Sequence, residues 1–108
     1  MSIILPSAIA GYFAADKQDA ATVAQYFTEN ALVVDEQKTH RGRAAIYQWK
    51  AETSSKYSYI SEPISIAHNG EIITVISRLT GNFPGSPIDL SYAFILENNT
   101  IARLEIGV

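Results

Sequence analysis

The stretch "NALVVDEQKTHRGRAAI", Asn30 to Ile46, contains the change of apolar and polar pattern that most constrains the fold. An apolar triplet ends abruptly in Asp35, a polar segment containing His40 follows, and a helical pattern begins near Arg43. We interpret the stretch as a short strand, a loop and the start of a helix. Asp35 is then either an ordinary residue at a strand end or a carboxylate held at the wall of a pocket.

The chain before this stretch has a helical period. Pro6 suits the first turn of a helix, and apolar residues follow it at spacings of three and four. Asp19 is a candidate N-cap for a second helix, from Ala20 to about Thr28. A third helix is predicted from Arg43 to about Thr53. Its apolar side would carry Ile46, Trp49 and Lys50.

The second half of the chain changes to the period of two that is typical of strands. Pro63 indicates an edge position or a bulge, and Asn69-Gly70 is a strong hairpin signal. Asn98-Asn99 predicts a second tight turn. The order is therefore three helices with one short strand, then four long antiparallel strands. This order predicts an α+β fold with the helices gathered on one face of a curved sheet.

Alternation along "IDLSYAFIL" separates the two faces of that sheet. One face would be large and apolar and should meet the helices; it carries Ile88, Leu90, Tyr92, Phe94 and Leu96. The other face is mixed and would be left uncovered; it carries Asp89, Ser91, Ala93, Ile95 and Glu97. We therefore expect a homodimer formed through the outer face of the sheet, at Ser91, Ala93 and Ile95.

Composition excludes several classes of function. The 108 residues carry a net charge of −3 and only eight Lys and Arg, so no basic face for nucleic acid is expected. There is no Cys, which excludes disulfides and thiolate chemistry. No signal peptide and no apolar run of about 18 residues is present, so we expect a cytoplasmic protein without a membrane span. Two distant His without metal-ligand spacing predict no metal site, and no cofactor motif is found.

An ordered set of motifs resembles the nuclear transport factor two-like superfamily, in its SnoaL-like polyketide cyclase and ketosteroid isomerase branch. The set comprises "AIAGYFAADKQDAATVAQYFTENALVVDE", "RGRAAIYQW" and "YAFILENNTIARLEI", and it spans nearly the whole chain. The resemblance implies a single domain over residues 1–108, with a cone-shaped antiparallel sheet wrapped around the N-terminal helices. It also implies an internal cavity that holds a small apolar molecule.

Asp35 matches the position of the general base in ketosteroid isomerases, which takes a proton from a carbon beside a carbonyl. A carboxylate in an apolar pocket is poorly solvated and is therefore a stronger base. The alternative is a solvated Asp35 paired with Arg41 or Arg43, since many proteins keep a fold without its reaction. Both arginines are expected to pair with Asp35 and Glu36 rather than to bind a substrate carboxylate.

Tyr12 matches the isomerase tyrosine that donates a hydrogen bond to the developing oxyanion, or is simply a core aromatic residue. The isomerase acid on the third long strand has no obvious equivalent. Asp89 resembles it locally, but counting back from the Asn98-Asn99 turn places Tyr92 at its position and Asp89 on the opposite face unless a bulge intervenes. This departure argues against strict steroid isomerase activity.

The remaining site candidates are ligand contacts. These are Trp49, Phe27, Tyr57, Phe94 and His40. Three functional hypotheses follow. The chain is a cofactor-independent isomerase or cyclase with Asp35, Tyr12 and Tyr92 as its catalytic residues, a non-catalytic ligand-binding module that uses the same cavity, or a dimeric association domain with a filled core.

Overall fold

The computed structural model describes residues 3–107, which contain the three predicted helices and six strands, one strand more than predicted. The helices are α1 Ser7–Ala15, α2 Ala20–Gln25 and α3 Arg43–Lys56. The strands are β1 Phe27–Asp35, β2 Lys38–Arg41, β3 Tyr59–Asn69, β4 Ile72–Gly81, β5 Ile88–Glu97 and β6 Thr100–Gly107. Asp19 caps α2 as predicted, because its carboxylate accepts a hydrogen bond of 2.7 Å from the backbone N–H of Thr22.

The six strands form one sheet in the order β2-β1-β6-β5-β4-β3. Strands β3 to β6 are the predicted antiparallel meander. Two expectations for the first half were wrong. The second helix ends at Gln25 instead of near Thr28, and β1 begins at Phe27, where it pairs parallel to β6. The polar segment after Asp35 is also a strand, β2, which pairs antiparallel with β1.

Local turn chemistry explains where the long strands bend and end. Pro63 lies on the edge strand β3 beside a register shift between Pro63 and Ser65, so both interpretations of this proline are confirmed. Asn98 and Asn99 both have positive φ and form the two-residue turn between β5 and β6. The β3–β4 turn residues are Gly70 and Glu71, one position later than the Asn69-Gly70 prediction.

The hydrophobic core lies between the helices and the concave face of the sheet. Phe13 on α1 packs edge to face on Tyr92 of β5, with ring centres 5.1 Å apart. Tyr12 packs in the same way on Phe94, at 5.7 Å. Tyr92 and Phe94 are buried, whereas Asp89 is exposed, which confirms the predicted alternation along β5. The result is an α+β fold in which three helices pack on a curved, cone-shaped six-stranded sheet. Within residues 3–107, none of the helices has the length and apolar character needed to cross a bilayer.

Candidate functional site

The helices leave a cavity of about 350 Å³ between α1, α3 and the concave face of the sheet. Its wall combines aromatic and aliphatic side chains with a few polar groups. The lining residues include Tyr12, Asp35, Trp49, Lys50, Tyr59 and Tyr92. A mostly apolar recess with a small number of convergent polar groups is the usual form of a small-molecule site.

Asp35 reaches this cavity from the end of β1. Its Oδ2 atom accepts a hydrogen bond of 2.9 Å from Nε1 of Trp49, whose side chain is buried on α3. Within residues 3–107 no group donates a hydrogen bond to the second oxygen, Oδ1. The indole therefore fixes the orientation of the carboxylate and leaves one oxygen available to a ligand.

The predicted pairing of Asp35 with an arginine was wrong. Arg43 is the first residue of α3, and its Nε atom donates a hydrogen bond of 2.9 Å to the backbone carbonyl of Phe27. In the described part of the chain, Arg41 forms no ion pair with Asp35 or Glu36. The partner of Asp35 is thus a neutral indole, and neither arginine supplies a counter-charge to this carboxyl group among the described residues.

Tyr12 lies at the inner end of the cavity and is only 1% exposed. Burial, together with the negative charge of Asp16, raises the pKa of the Tyr12 hydroxyl well above its usual value. Among residues 3–107 this hydroxyl has no hydrogen-bond partner. At neutral pH it is therefore a neutral donor that can bind an oxygen of a ligand, and it cannot serve as a base.

Tyr92 borders the same cavity from strand β5. Burial is the main cause that raises its pKa, and the charge of Asp16 adds to it, so this hydroxyl also stays protonated. Asp89 does not reach the cavity. It lies on the outer face of the sheet and accepts hydrogen bonds of 2.8 and 3.2 Å from Arg78 on β4.

The other sequence-predicted contacts divide into two groups. Trp49 and Tyr57 border the cavity. Phe27 and Phe94 do not, because both are fully buried in the core around the Tyr12 ring. His40 is also outside the wall. It lies on β2, and its ring is tilted by 35° to that of Trp49, with the ring centres 6.0 Å apart.

Sequence reasoning missed a buried ion pair at the cavity. Nζ of Lys50 on α3 lies 2.5 Å from Oδ1 of Asp16, which follows α1, and both side chains are 4% exposed. The Tyr59 hydroxyl bridges the pair, at 3.2 Å from Lys50 and 3.1 Å from Asp16. A signal existed in the sequence, because each charge occupies a position that continues the apolar side of its helix.

No group of three or more His, Cys, Asp or Glu in the described range is arranged to hold a metal ion. The polar groups that border the cavity are two carboxylates, Asp35 and Glu36, one ammonium, the Thr53 hydroxyl, the Trp49 indole and several phenols. Such a set suits proton transfer and oxygen binding by side chains alone.

Comparison with known proteins places the chain in a family. A "putative polyketide cyclase" from Sinorhizobium meliloti is 36% identical, with 95% of each chain covered and a TM-score of 0.90. The chain belongs to the SnoaL-like, nuclear transport factor two-like superfamily.

Two more distant structures share the fold of this SnoaL-like chain. A protein from Catenulispora acidiphila with a ketosteroid isomerase-like fold is 18% identical, with 97% of this chain and 87% of that chain covered and a TM-score of 0.85. An NTF2-like protein of unknown function from Cytophaga hutchinsonii is 15% identical, with 99% and 91% covered and a TM-score of 0.75. No protein-family model matches the chain. No curated protein sequence matches it at a significant level either.

Proposed function

We propose that this SnoaL-like protein binds a small apolar carbonyl compound in its cavity and transfers a proton on it, as a cofactor-independent isomerase or cyclase. The observation that carries the proposal is the Asp35 carboxylate, held through Oδ2 by Trp49 and open at Oδ1, in a cavity that Tyr12 and Tyr92 also border. A base and two neutral donors in one apolar recess are the groups that enolisation requires.

The reaction follows from these groups. Oδ1 of Asp35 takes a proton from the carbon beside the ligand's carbonyl, and the electrons of that C–H bond form a C=C bond. The carbonyl π electrons move to oxygen, where hydrogen bonds from Tyr12 and Tyr92 stabilise the developing charge. Return of the proton to another carbon gives isomerisation. In cyclisation the enolate carbon attacks a second carbonyl, the first C=O re-forms, and the new alkoxide oxygen takes the proton back from Asp35.

Proton exchange tests this function without knowledge of the natural substrate. The protein should accelerate deuterium uptake at the α-carbon of a panel of cyclic ketones in D₂O, followed by NMR. Asp35→Asn should lower the rate by about 100-fold or more, because the base is lost. Trp49→Phe should give an intermediate rate, since Asp35 remains but is no longer held. Equal rates for the wild type and Asp35→Asn would remove Asp35 from the mechanism.

A second candidate is a binding protein that uses the same cavity without proton transfer. The substitution of a phenol, Tyr92, for the family's strand acid favours it, because a neutral phenol is a weaker proton donor than a carboxylic acid. Binding of a ketone with no detectable deuterium uptake, in the wild type or in Asp35→Asn, would support a binding protein over an enzyme.

We also propose a homodimer formed through the outer face of the sheet. Ile72 on β4 pairs with Ile95 on β5, and with Ala93 they border a shallow apolar depression flanked by Arg103 and Glu105. A two-fold axis between two chains would bring this patch of one chain against the same patch of the other. Sedimentation should show about twice the 11.8 kDa chain mass, and Ile95→Lys should reduce it to the monomer. A wild-type monomer at micromolar concentration would contradict the proposal.

A further inference from the structure

The Asp16–Lys50 pair is oriented with its positive end towards the cavity. Lys50 and Tyr59 border the cavity, whereas Asp16 and Tyr59 border a separate surface groove on the other side of the pair. The pair is thus part of the partition between the two spaces. Burying two charges is costly, and a buried pair is weak evidence for stability alone. Its asymmetric placement indicates a role for the ammonium within the cavity.

The hydrogen-bonding capacity of Lys50 supports this role. An ammonium group carries three N–H donors. Asp16 and the Tyr59 hydroxyl account for two of them, at 2.5 and 3.2 Å. The nitrogen lies 4.7 Å from the centre of the Trp49 ring and 5.8 Å from that of Tyr12, so the ammonium is close to two residues of the cavity wall.

Trp49 connects Lys50 to the candidate base. The indole N–H binds Asp35, while the face of the same rings lies against the Lys50 ammonium. A rigid aromatic group therefore separates the carboxylate from the ammonium. A ligand that places its acidic C–H at Asp35 would direct its oxygen along the indole towards Lys50, with the Tyr12 hydroxyl beside it.

We propose that the Lys50 ammonium binds the ligand's oxygen and stabilises the negative charge that develops there, so that the ligand is a ketone that enolises or a phenol that ionises. This inference rests on the proposed use of the cavity. It assigns a charged donor to α3, whereas Tyr92 on the strand is a neutral donor. It makes Asp16 the counter-charge of Lys50, which offsets part of the ammonium's positive charge from the side away from the cavity.

A chromogenic phenol tests the proposal independently of Asp35 chemistry. 4-Nitrophenol has no α-proton, and its phenol and phenolate forms absorb at different wavelengths, so its ionisation can be followed in the bound state. Bound to the wild type, its pKa should fall by about 1 to 3, as for an acid beside an opposite charge. Lys50→Met should abolish this fall. Lys56→Met, at the exposed end of the same helix, is the matched control and should behave as the wild type.

The Asp16 variant separates a ligand-binding ammonium from a purely structural ion pair. In Asp16→Asn the positive charge of Lys50 is no longer offset, so the pKa of bound 4-nitrophenol should fall further than in the wild type. A structural pair would instead give the same result for Asp16→Asn and Lys50→Met. An unchanged pKa in Lys50→Met, or a raised pKa in Asp16→Asn, would overturn the proposal.

A double variant and the exchange assay cover the remaining outcomes. If Lys50→Met does not fold, the double variant Asp16→Leu/Lys50→Met removes both charges together and should bind the phenol without lowering its pKa. A lowered pKa in that variant would refute the role of Lys50. Failure of the wild type to bind 4-nitrophenol at millimolar concentration would count against both the cavity function and this inference. A Lys50-dependent pKa combined with exchange that does not require Asp35 would support the inference and reject the proposed base.

Discussion

Two ion pairs of this protein have similar chemistry and opposite surroundings. Asp16–Lys50 lies between the helices and the concave side of the sheet, with both side chains 4% exposed. Arg78–Asp89 lies on the convex side, with side chains 51% and 42% exposed. Both bring a carboxylate within hydrogen-bonding distance of a cation. Solvent screens the outer pair, whereas the inner pair lies in surroundings of low dielectric constant. The same contact therefore has a very different interaction energy in the two places.

In this protein, likeness to a sequence motif and a position at the cavity are separate properties. Asp89 resembles the family's strand acid in its local sequence, yet it faces solvent and is paired with Arg78. Lys50 matches no motif, yet it borders the cavity beside Trp49. Burial, rather than local likeness, decides which charge can act on a ligand.

The largest expected effect comes from breaking the inner pair. Asp16→Asn or Lys50→Met should lower the free energy of unfolding by about 3–5 kcal/mol, because each leaves an uncompensated buried group. Asp16→Leu/Lys50→Met should recover most of this loss. Urea unfolding followed by circular dichroism at neutral pH measures all three variants. A loss below about 1 kcal/mol in both single variants would mean that the inner pair is as solvated as the outer one.

An intermediate effect is expected at alkaline pH, on the same side of the sheet. Burial, with the charge of Asp16, raises the pKa of Tyr12 and Tyr92 above the value of about 10 found in an unfolded chain. Above pH 10 the unfolded state therefore loses protons that the folded state retains. Stability should be fully present below that pH and fall by about 1.4 kcal/mol per pH unit for each such tyrosine.

Tyr92→Phe provides the control for the alkaline effect. Its free energy of unfolding between about pH 10 and 11 should decline less steeply than that of the wild type, by the contribution of one tyrosine. Parallel declines in the two proteins would show that Tyr92 ionises equally in the folded and unfolded states.

The smallest effect is expected at the outer pair. The hydrogen bond from Arg78 lowers the pKa of Asp89, so any stabilisation is present above the unfolded pKa of about 4 and is lost as the pH falls through the lower folded value. Arg78→Gln and Asp89→Asn should leave the urea midpoint at neutral pH unchanged within error, and 1 M NaCl should not alter that result. A clear drop in the urea midpoint would mean that Arg78–Asp89 stabilises the fold in the way expected of the buried pair Asp16–Lys50.

Several features of the fold could be predicted because their cause is local. The Asp19 cap, the Asn98-Asn99 turn and the alternation along β5 depend on residues that are neighbours in the chain. Strand β2 could not be predicted in this way. It is short and polar, and it is joined to β1 by a turn at Glu36 and Gln37, both with positive φ although neither is Gly or Asn. Pairing with β1 stabilises it, and that pairing leaves no apolar pattern in the sequence.

The candidate site was predictable in the same uneven way. The position of Asp35 follows from its motif, but its partner does not, because Trp49 is 14 residues away and meets it only when α3 packs over β1. Lys50 and Asp16 are 34 positions apart, and no local rule pairs them. A charge on an apolar helix side indicates an unknown partner without identifying it.

Three features could be read from local sequence: the α+β class, the face of β5 that meets the helices and the acid at the end of the first strand. They depend on periodicity and turn chemistry, which act over a few residues. Three others required the folded structure: the hydrogen bond from Trp49 to this acid, the position of Asp89 outside the cavity and that of Lys50 in its wall. The reason is that burial and hydrogen bonding between distant segments are set by how helices and sheet pack together, and each of these contacts joins residues that packing alone brings into range.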